Sequence, residues 1–262
     1  MTSLDNRSLL GDEERAPALT FNVDGRSAFL ILGDHAGNAI PRVLGGLDLS
    51  IMDRARHIAW DIGVHDLGMA LAADLDATFI HQHYSRLVID CNRDPRHPQS
   101  TPAMADGTPI AQNDALSDAD KQRRIAAIHA PYHQRIASEL AGRTQAGRRT
   151  IILALHSFTP QLAGETRPWH IGILHSDGAN GFAVAMLTAL RANVGVVVGD
   201  NQPYRMDNTD YTVPHHAFAS GVPYAEIEVR QDLLIDADGI ATWCRQISTA
   251  GQQALLALNG QG

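Results

Sequence analysis

At 262 residues, with 44% apolar and 19% charged side chains, the chain is long enough for one α/β domain with a substantial core. A formal net charge of -8 and a pI near 5.8 argue against nucleic acid as a partner, which needs a basic face, but leave room for a local basic pocket. Cys91 and Cys244 form no CxxC pair or disulfide framework, the acidic N-terminus lacks a signal-peptide pattern, and no apolar run approaches the ~18 residues of a membrane span, so a reducing, cytoplasmic setting is expected.

Residues 1–20 read as a flexible arm and 21–262 as a single domain. Ala28 to Leu32 is a buried strand that breaks into a loop carrying Asp34, His35 and Gly37. Residues 50–76 carry apolar side chains at helical spacing, with Ser50 as the cap and Ile58, Ile62, Leu67 and Leu71 on the buried side. Residues 78–93 are strand-rich, as two strands or one bent strand. Overlapping their end, SRLVIDCNRDP (85–95) reads as a buried strand with Arg86 and Arg93 at its ends. Residues 96–114 form a long loop of proline, glycine and small polar residues, a length that is usually functional or disordered.

Ser117 and Asp120 open a helix that runs to about Leu140, on which His129 and His133, four apart, read as an exposed face. Thr150 to Leu155 is a buried strand ending at His156 and Ser157. A short strand at 171–174, a helix near 179–193, the segment VGVVVGDNQPY, the strand YAEIEVRQDLL and a helix from about 238 to 258 complete the chain. This alternation predicts a three-layer α/β fold, with a mostly parallel or mixed sheet and helices on both faces.

The apolar strands end in chemically capable groups, and in open α/β sheets such ends converge on one rim. His35 and His156 follow strands in equivalent positions and are candidate metal ligands, since catalytic zinc sites use about three protein ligands and imidazole is a frequent one. The plainer alternative is two hydrogen-bonded loop histidines. HExxH is absent, and His35-Ala-Gly-Asn38 has an amide where an HxxE pair has glutamate, so a carboxylate ligand must come from elsewhere. Asp61, set between Ile58 and Ile62, is the best candidate, with His57 and His65 behind it. Arg93 with Asn92 suits a clamp on a carboxylate, and Arg86 suits an oxyanion, because a guanidinium binds such groups in two-pronged fashion. Asp90 would hold one of these arginines, unless Asp90, Arg93 and Asp94 merely form an internal salt-bridge network. Glu228, two residues beyond Glu226 on one strand face, is the candidate general base, with pairing to Arg230 as its plainer role. Ser157 lies in no GxSxG elbow and fits a supporting hydrogen bond. Residues 199–217 are too polar for core and read as a flap whose Tyr204, His215 and His216 reach the site.

DHAGNAIP, YSRLVIDCNRDP, HAPYH, LHSFTP and EIEVRQDL stand in the order seen in the N-formylglutamate amidohydrolase family, which this chain resembles over about residues 28–234. The resemblance implies a fold similar to zinc exopeptidases and aspartoacylase-like deacylases. It also implies metal-dependent hydrolysis, by zinc-activated water, of the amide in a small N-acyl amino acid. Carried over to these positions, it implies His35 and His156 as zinc ligands and Arg86 at the carbonyl. Asn92 and Arg93 would sit at the substrate carboxylate, Asp90 would be their positioning partner, and Glu228 the base. Ala154 departs from the family pattern, standing where Asp-x-His-Ser carries its aspartate. Two other functions fit the same residues: carboxypeptidase-like cleavage of a small peptide, with 96–114 sizing the pocket, and carboxylate binding without catalysis. Nothing in the sequence marks an oligomeric state.

Overall fold

The computed structural model describes residues 8–176 and 180–260. Its centre is a seven-stranded mixed sheet. In chain order the strands are β1 (Ala18–Phe21), β2 (Phe29–Gly33), β3 (Thr78–Gln82), β4 (Ile151–Phe158), β5 (Ile171–Leu174), β6 (Val198–Asp200) and β7 (Tyr224–Arg230). They lie side by side as β1-β3-β2-β4-β7-β5-β6. The four middle strands β3, β2, β4 and β7 are parallel, β1 and β5 join them antiparallel, and β6 runs parallel to β5.

The apolar runs of β2 and of β4 up to Leu155 follow from burial on both faces. Successive residues point to opposite sides, so Phe29, Ile31 and Leu153 enter one core and Leu30, Leu32 and Ile152 the other. Four long helices cover the sheet: α1 (Val64–Asp74), α2 (Ala130–Gln145), α3 (Gly181–Arg191) and α4 (Ala237–Asn259). Leu67, Phe182 and Ile247 bring α1, α3 and α4 to the first core, while Tyr132 and Ile136 bring α2 to the second. Among the described residues no helix is long and apolar enough to cross a membrane.

Several elements differ from the sequence-based expectation. The expected arm is tied down from Leu9, which is buried, and its last residues, 18–20, open the edge strand β1, which closes at Phe21. Glu14 accepts the Arg42 N–H and the Arg15 carbonyl accepts the Tyr84 hydroxyl, so the connecting residues are anchored too. Residues 1–7 lie outside the described residues.

The helix expected over 50–76 is two pieces. Ser50 Oγ accepts the Asp53 N–H and caps a single turn at Ile51–Arg54, and α1 starts only at Val64. Gly63 makes the break possible. Its φ is +83°, and a Cβ there would sit 2.4 Å from Leu234 Cβ. Asp61 therefore lies in the break, not on the helix.

The segment SRLVIDCNRDP is buried but is not a strand, since β3 stops at Gln82. Its backbone finds partners in loops and side chains instead of a neighbouring strand. Ser85 N–H donates to Ala39 O and Asp90 N–H to Ser100 O, while the carbonyls of Leu87 and Val88 accept from Asn113 Nδ2 and Arg124 Nη1. The loop at 96–114 holds a small hairpin, Met104–Ala105 with Thr108–Pro109, and a helical turn at Ala111–Asp114. The helix capped by Ser117 runs on to Gln145, with one wider turn at Ile125–His129 ahead of Pro131, which has no N–H to contribute. Strand β4 extends through His156 and Ser157 to Phe158.

Candidate active site

Three sequence-distant side chains meet at the carboxyl ends of β2 and β4. His35 follows β2, His156 lies near the end of β4, and Asp61 comes from the break before α1. The loop after β2 is folded tightly against the end of β3, where a Cβ at Gly37 would lie 2.1 Å from His83 O, so only glycine fits. The Asp61 N–H donates to His35 O (2.9 Å), which locks the two loops together. Asp61 Oδ2 is 2.9 Å from His156 Nδ1 and 3.5 Å from His35 Nδ1. Ligand-capable atoms of His35, Asp61 and His156 all lie within 4.8 Å of one another, and all three residues are buried.

Arg86 and Asp90 close a charge network around this group. Asp90 Oδ1 is 2.7 Å from His35 Nε2, and Asp90 Oδ2 accepts from Arg86 Nη2 (2.8 Å). Arg86 Nη1 reaches Asp61 Oδ1 at 3.5 Å. Burial drives both imidazoles toward the neutral form, and Arg86 adds to this at His35, but Asp90 and Asp61 outweigh them and raise His35 above its ordinary value. Burial also opposes charge on His156, yet the Asp61 hydrogen bond and the nearby Asp61, Glu226 and Glu228 carboxylates raise it to about 10. Burial would raise Asp61, but His35 and His156 hold it well below the usual carboxylate range.

These groups open on a cavity of about 500 Å³. Glu226 and Glu228 line it from β7, with Glu228 opposite His156 in the strand register and Glu226 opposite Ala154. Burial pushes Glu228 up to about 7 and Glu226 to about 8, against the pull of His156. Each has one carboxylate oxygen with no hydrogen-bond partner among the described residues. Residues 203–210 supply the outer wall, where the expected flap contributes Tyr204, Arg205 and Asp210.

Arg93 and Asn92 both line the cavity, but they also hold that wall. Arg93 Nη1 donates to Asn92 O, Thr209 O and Asp210 Oδ1 (3.4 Å). Asn92 Oδ1 accepts the N–H groups of Tyr211 and Thr212. Ser157 supports Asp61: its N–H donates to Asp61 Oδ2 (3.3 Å) and its hydroxyl to Ile62 O (2.9 Å).

Some expected residues lie elsewhere. His216 is buried behind the wall, 3.0 Å from His133 Nδ1 through its Nε2, and does not line the cavity. His129 and His133 are buried rather than exposed, because α2 turns that face inward against Cys91 and Arg93. Asp90 sits behind Arg86 and His35. His57 reaches the cavity without joining the His35 group, His65 lines a separate surface pocket, and none of residues 96–114 lines the cavity. Glu226 shares the Glu228 face, a parity legible in YAEIE. Asp34 is the residue least visible beforehand: it directly precedes His35, yet reaches His156 across the sheet, with Oδ2 3.9 Å from Nε2.

Two imidazoles and a carboxylate converging in a buried pocket fit a divalent cation. His35 Nδ1 has no hydrogen-bond partner among the described residues, as expected of an atom kept available for such an ion.

The fold recurs in known proteins. A gene product of Agrobacterium tumefaciens has a similar crystal structure, with a TM-score of 0.92, 31% identity, and coverage of 96% of this chain and 99% of that one. The N-formylglutamate amidohydrolase of Ralstonia eutropha shares the fold, with a TM-score of 0.63, 22% identity, and 94% and 100% coverage. A Pseudomonas aeruginosa N-formylglutamate deformylase is 30% identical over 131 residues, which span 45% of this chain and 47% of that relative. The chain thus matches about half the length of that curated relative. A family description of N-formylglutamate amidohydrolases matches residues 27–235, from the strand before His35 past Glu228. That span contains every residue of the cavity, and the chain belongs to the N-formylglutamate amidohydrolase family.

Proposed function

We propose that this protein hydrolyses the amide bond of a small N-acyl amino acid, N-formyl amino acids being the reference class, with a divalent cation held by His35, Asp61 and His156. Zinc is the expected ion, since two imidazoles and a carboxylate are a ligand set it favours. The observation that carries the reading is that grouping, set in one cavity with Arg86 and an incompletely bonded Glu228. When bound, the cation supplies a Lewis acid that polarises the acyl carbonyl and acidifies water.

The chain's own residues supply the rest. Glu228, held up to about 7 by burial, takes a proton from water at Oε2 near neutral pH and returns it to the leaving amine. Arg86, fixed from behind by Asp90, offers its guanidinium to the negative charge that grows on the acyl oxygen. Arg93 faces the amino acid's carboxylate with the donors not given to Thr209 and Asp210. Ser157 keeps Asp61 turned toward the two histidines. A reducing, cytoplasmic setting belongs to the same proposal, supported by two free, buried cysteines.

The test is a metal analysis of protein purified without a metal-binding tag, combined with a panel of N-formyl and N-acetyl amino acids and short peptides. Stoichiometric cation and chelator-sensitive turnover of an acyl amino acid are expected. Chelator-insensitive turnover, or no turnover with intact carboxylate binding, would refute it.

A further inference from the structure

Each of the two central histidines turns Nδ1 toward Asp61 and has a second carboxylate on its Nε2 side, bonded at His35 and only facing at His156. His35 turns Nδ1 toward Asp61 (3.5 Å) and Nε2 toward a second carboxylate, Asp90 (2.7 Å). His156 also turns Nδ1 toward Asp61 (2.9 Å), and its Nε2 faces Asp34 Oδ2 at 3.9 Å. Neither atom of that last pair has a hydrogen-bond partner among the described residues, and both are buried. Asp34 is itself fixed, because its Oδ1 accepts the hydroxyl of the fully buried Tyr132 at 2.6 Å.

We propose that Asp34 is the positioning carboxylate of His156, the counterpart of Asp90 at His35. The inference rests on the cation-site reading above. A cation drawing on Asp61 and on His156 Nδ1 needs the Nδ1 lone pair, which puts the ring proton on Nε2, facing Asp34. A carboxylate there fixes the tautomer and the ring rotation and makes the ring a better donor, effects worth about 10–100-fold in affinity or activity. Strand pairing explains why the neighbouring strand supplies it. Leu32 pairs with Ala154, and Asp34, in the turn just past the end of β2, therefore lies beside His156, two residues beyond Ala154 on β4. Ala154, the same-face neighbour before His156, brings only a methyl group. Glu226 and Glu228 act on His156 through space, but among the described residues its ion-pair contacts are Asp61 and Asp34.

Asp34→Asn tests this, because the amide keeps the shape and still accepts the Tyr132 hydroxyl. Zn²⁺ is titrated into metal-free wild type, Asp34→Asn and His156→Ala in competition with a chromophoric chelator. We expect Asp34→Asn to bind about 10–100-fold more weakly than wild type. In ¹⁵N-histidine spectra of the Zn²⁺-loaded wild type, the His156 proton is expected on Nε2, shifted downfield, and that shift is lost in Asp34→Asn while His35 is unchanged. If His156→Ala weakens binding but Asp34→Asn stays within about twofold of wild type, the Asp34 assignment fails and the cation site stands. If wild type binds no Zn²⁺, both fail. Should Asp34→Asn not fold, the wild-type spectrum decides alone, and a His156 proton on Nδ1 overturns the proposal.

Discussion

Two groups of buried histidines lie on either side of the cavity wall, and they are in opposite electrical states. Around Asp61, His35 and His156 face carboxylates, and both rings are raised above their ordinary value, His156 to about 10. Behind the wall, His129, His133 and His216 face backbone carbonyls and one another. There burial is the first cause: it outweighs the Arg93 carbonyl and the more distant carboxylates at His129, and, helped by neighbouring histidines, holds His133 well below its ordinary value and His216 down at about 4. Desolvation pushes every one of these rings the same way, so the neighbours decide the sign. Burial alone does not suit a histidine to a cation; the carboxylates around it do.

Hydrogen bonding says the same for the second group. His133 Nε2 donates to Cys91 O, so its Nδ1 is left with a lone pair that accepts from His216 Nε2. His129 Nε2 donates to Arg93 O. Cys91 and Arg93 flank Asn92, whose side chain holds the flap at Tyr211 and Thr212. These neutral rings fasten α2 to the cavity wall, whereas the carboxylate-faced rings are suited to hold a cation.

Four measurements would sharpen or break this contrast. His156→Ala has the largest expected effect, loss of the stoichiometric cation and of all chelator-sensitive turnover, whereas His133→Gln keeps the cation in the same metal analysis. Glu228→Gln lowers kcat by about 10²–10⁴-fold with the cation retained, which steady-state kinetics and metal content together would show. Arg93→Ala raises KM by about 10–100-fold and changes kcat less, as expected for one charged hydrogen-bonding partner; an equal fall in kcat would move Arg93 to the reacting bond.

The smallest effect is on pH-dependent stability of the metal-free protein. His216 has a folded pKa below its unfolded value near 6.5, so its neutral form is favoured on folding. Above pH 6.5 it makes no pH-dependent difference, and from 6.5 down to about 4 the unfolded chain binds the proton first and stability falls. His156 runs the other way, with stability fully present below 6.5 and lost as pH rises through about 10. In thermal melts, His216→Gln should flatten the acid limb by about 2–4 °C for each kcal/mol of linkage and leave the alkaline limb unchanged.

Much of the molecule was legible because its signals are local. Apolar runs separated by helical periodicity read out the α/β alternation, and strand-end placement singled out His35 and His156 as a pair. Asp61 was picked for its apolar surroundings, yet it sits in a break that Gly63 allows and not on a helix face. The buried stretch around Arg86 looked like a strand because hydrophobicity reports burial, not hydrogen-bond partners. Asn113 and Arg124, well over twenty residues away, satisfy it instead.

By itself, the sequence determined the layered class, the order of its motifs and the residue types able to do the chemistry, since propensity and periodicity are properties of neighbouring residues. Only the tertiary structure decided which of thirteen histidines face carboxylates. It alone turned His216 away from the cavity and set Asp34 against His156. Those outcomes depend on which strands pair, in what register, and which loops close over their ends, and contacts of that kind leave no periodic trace along the chain.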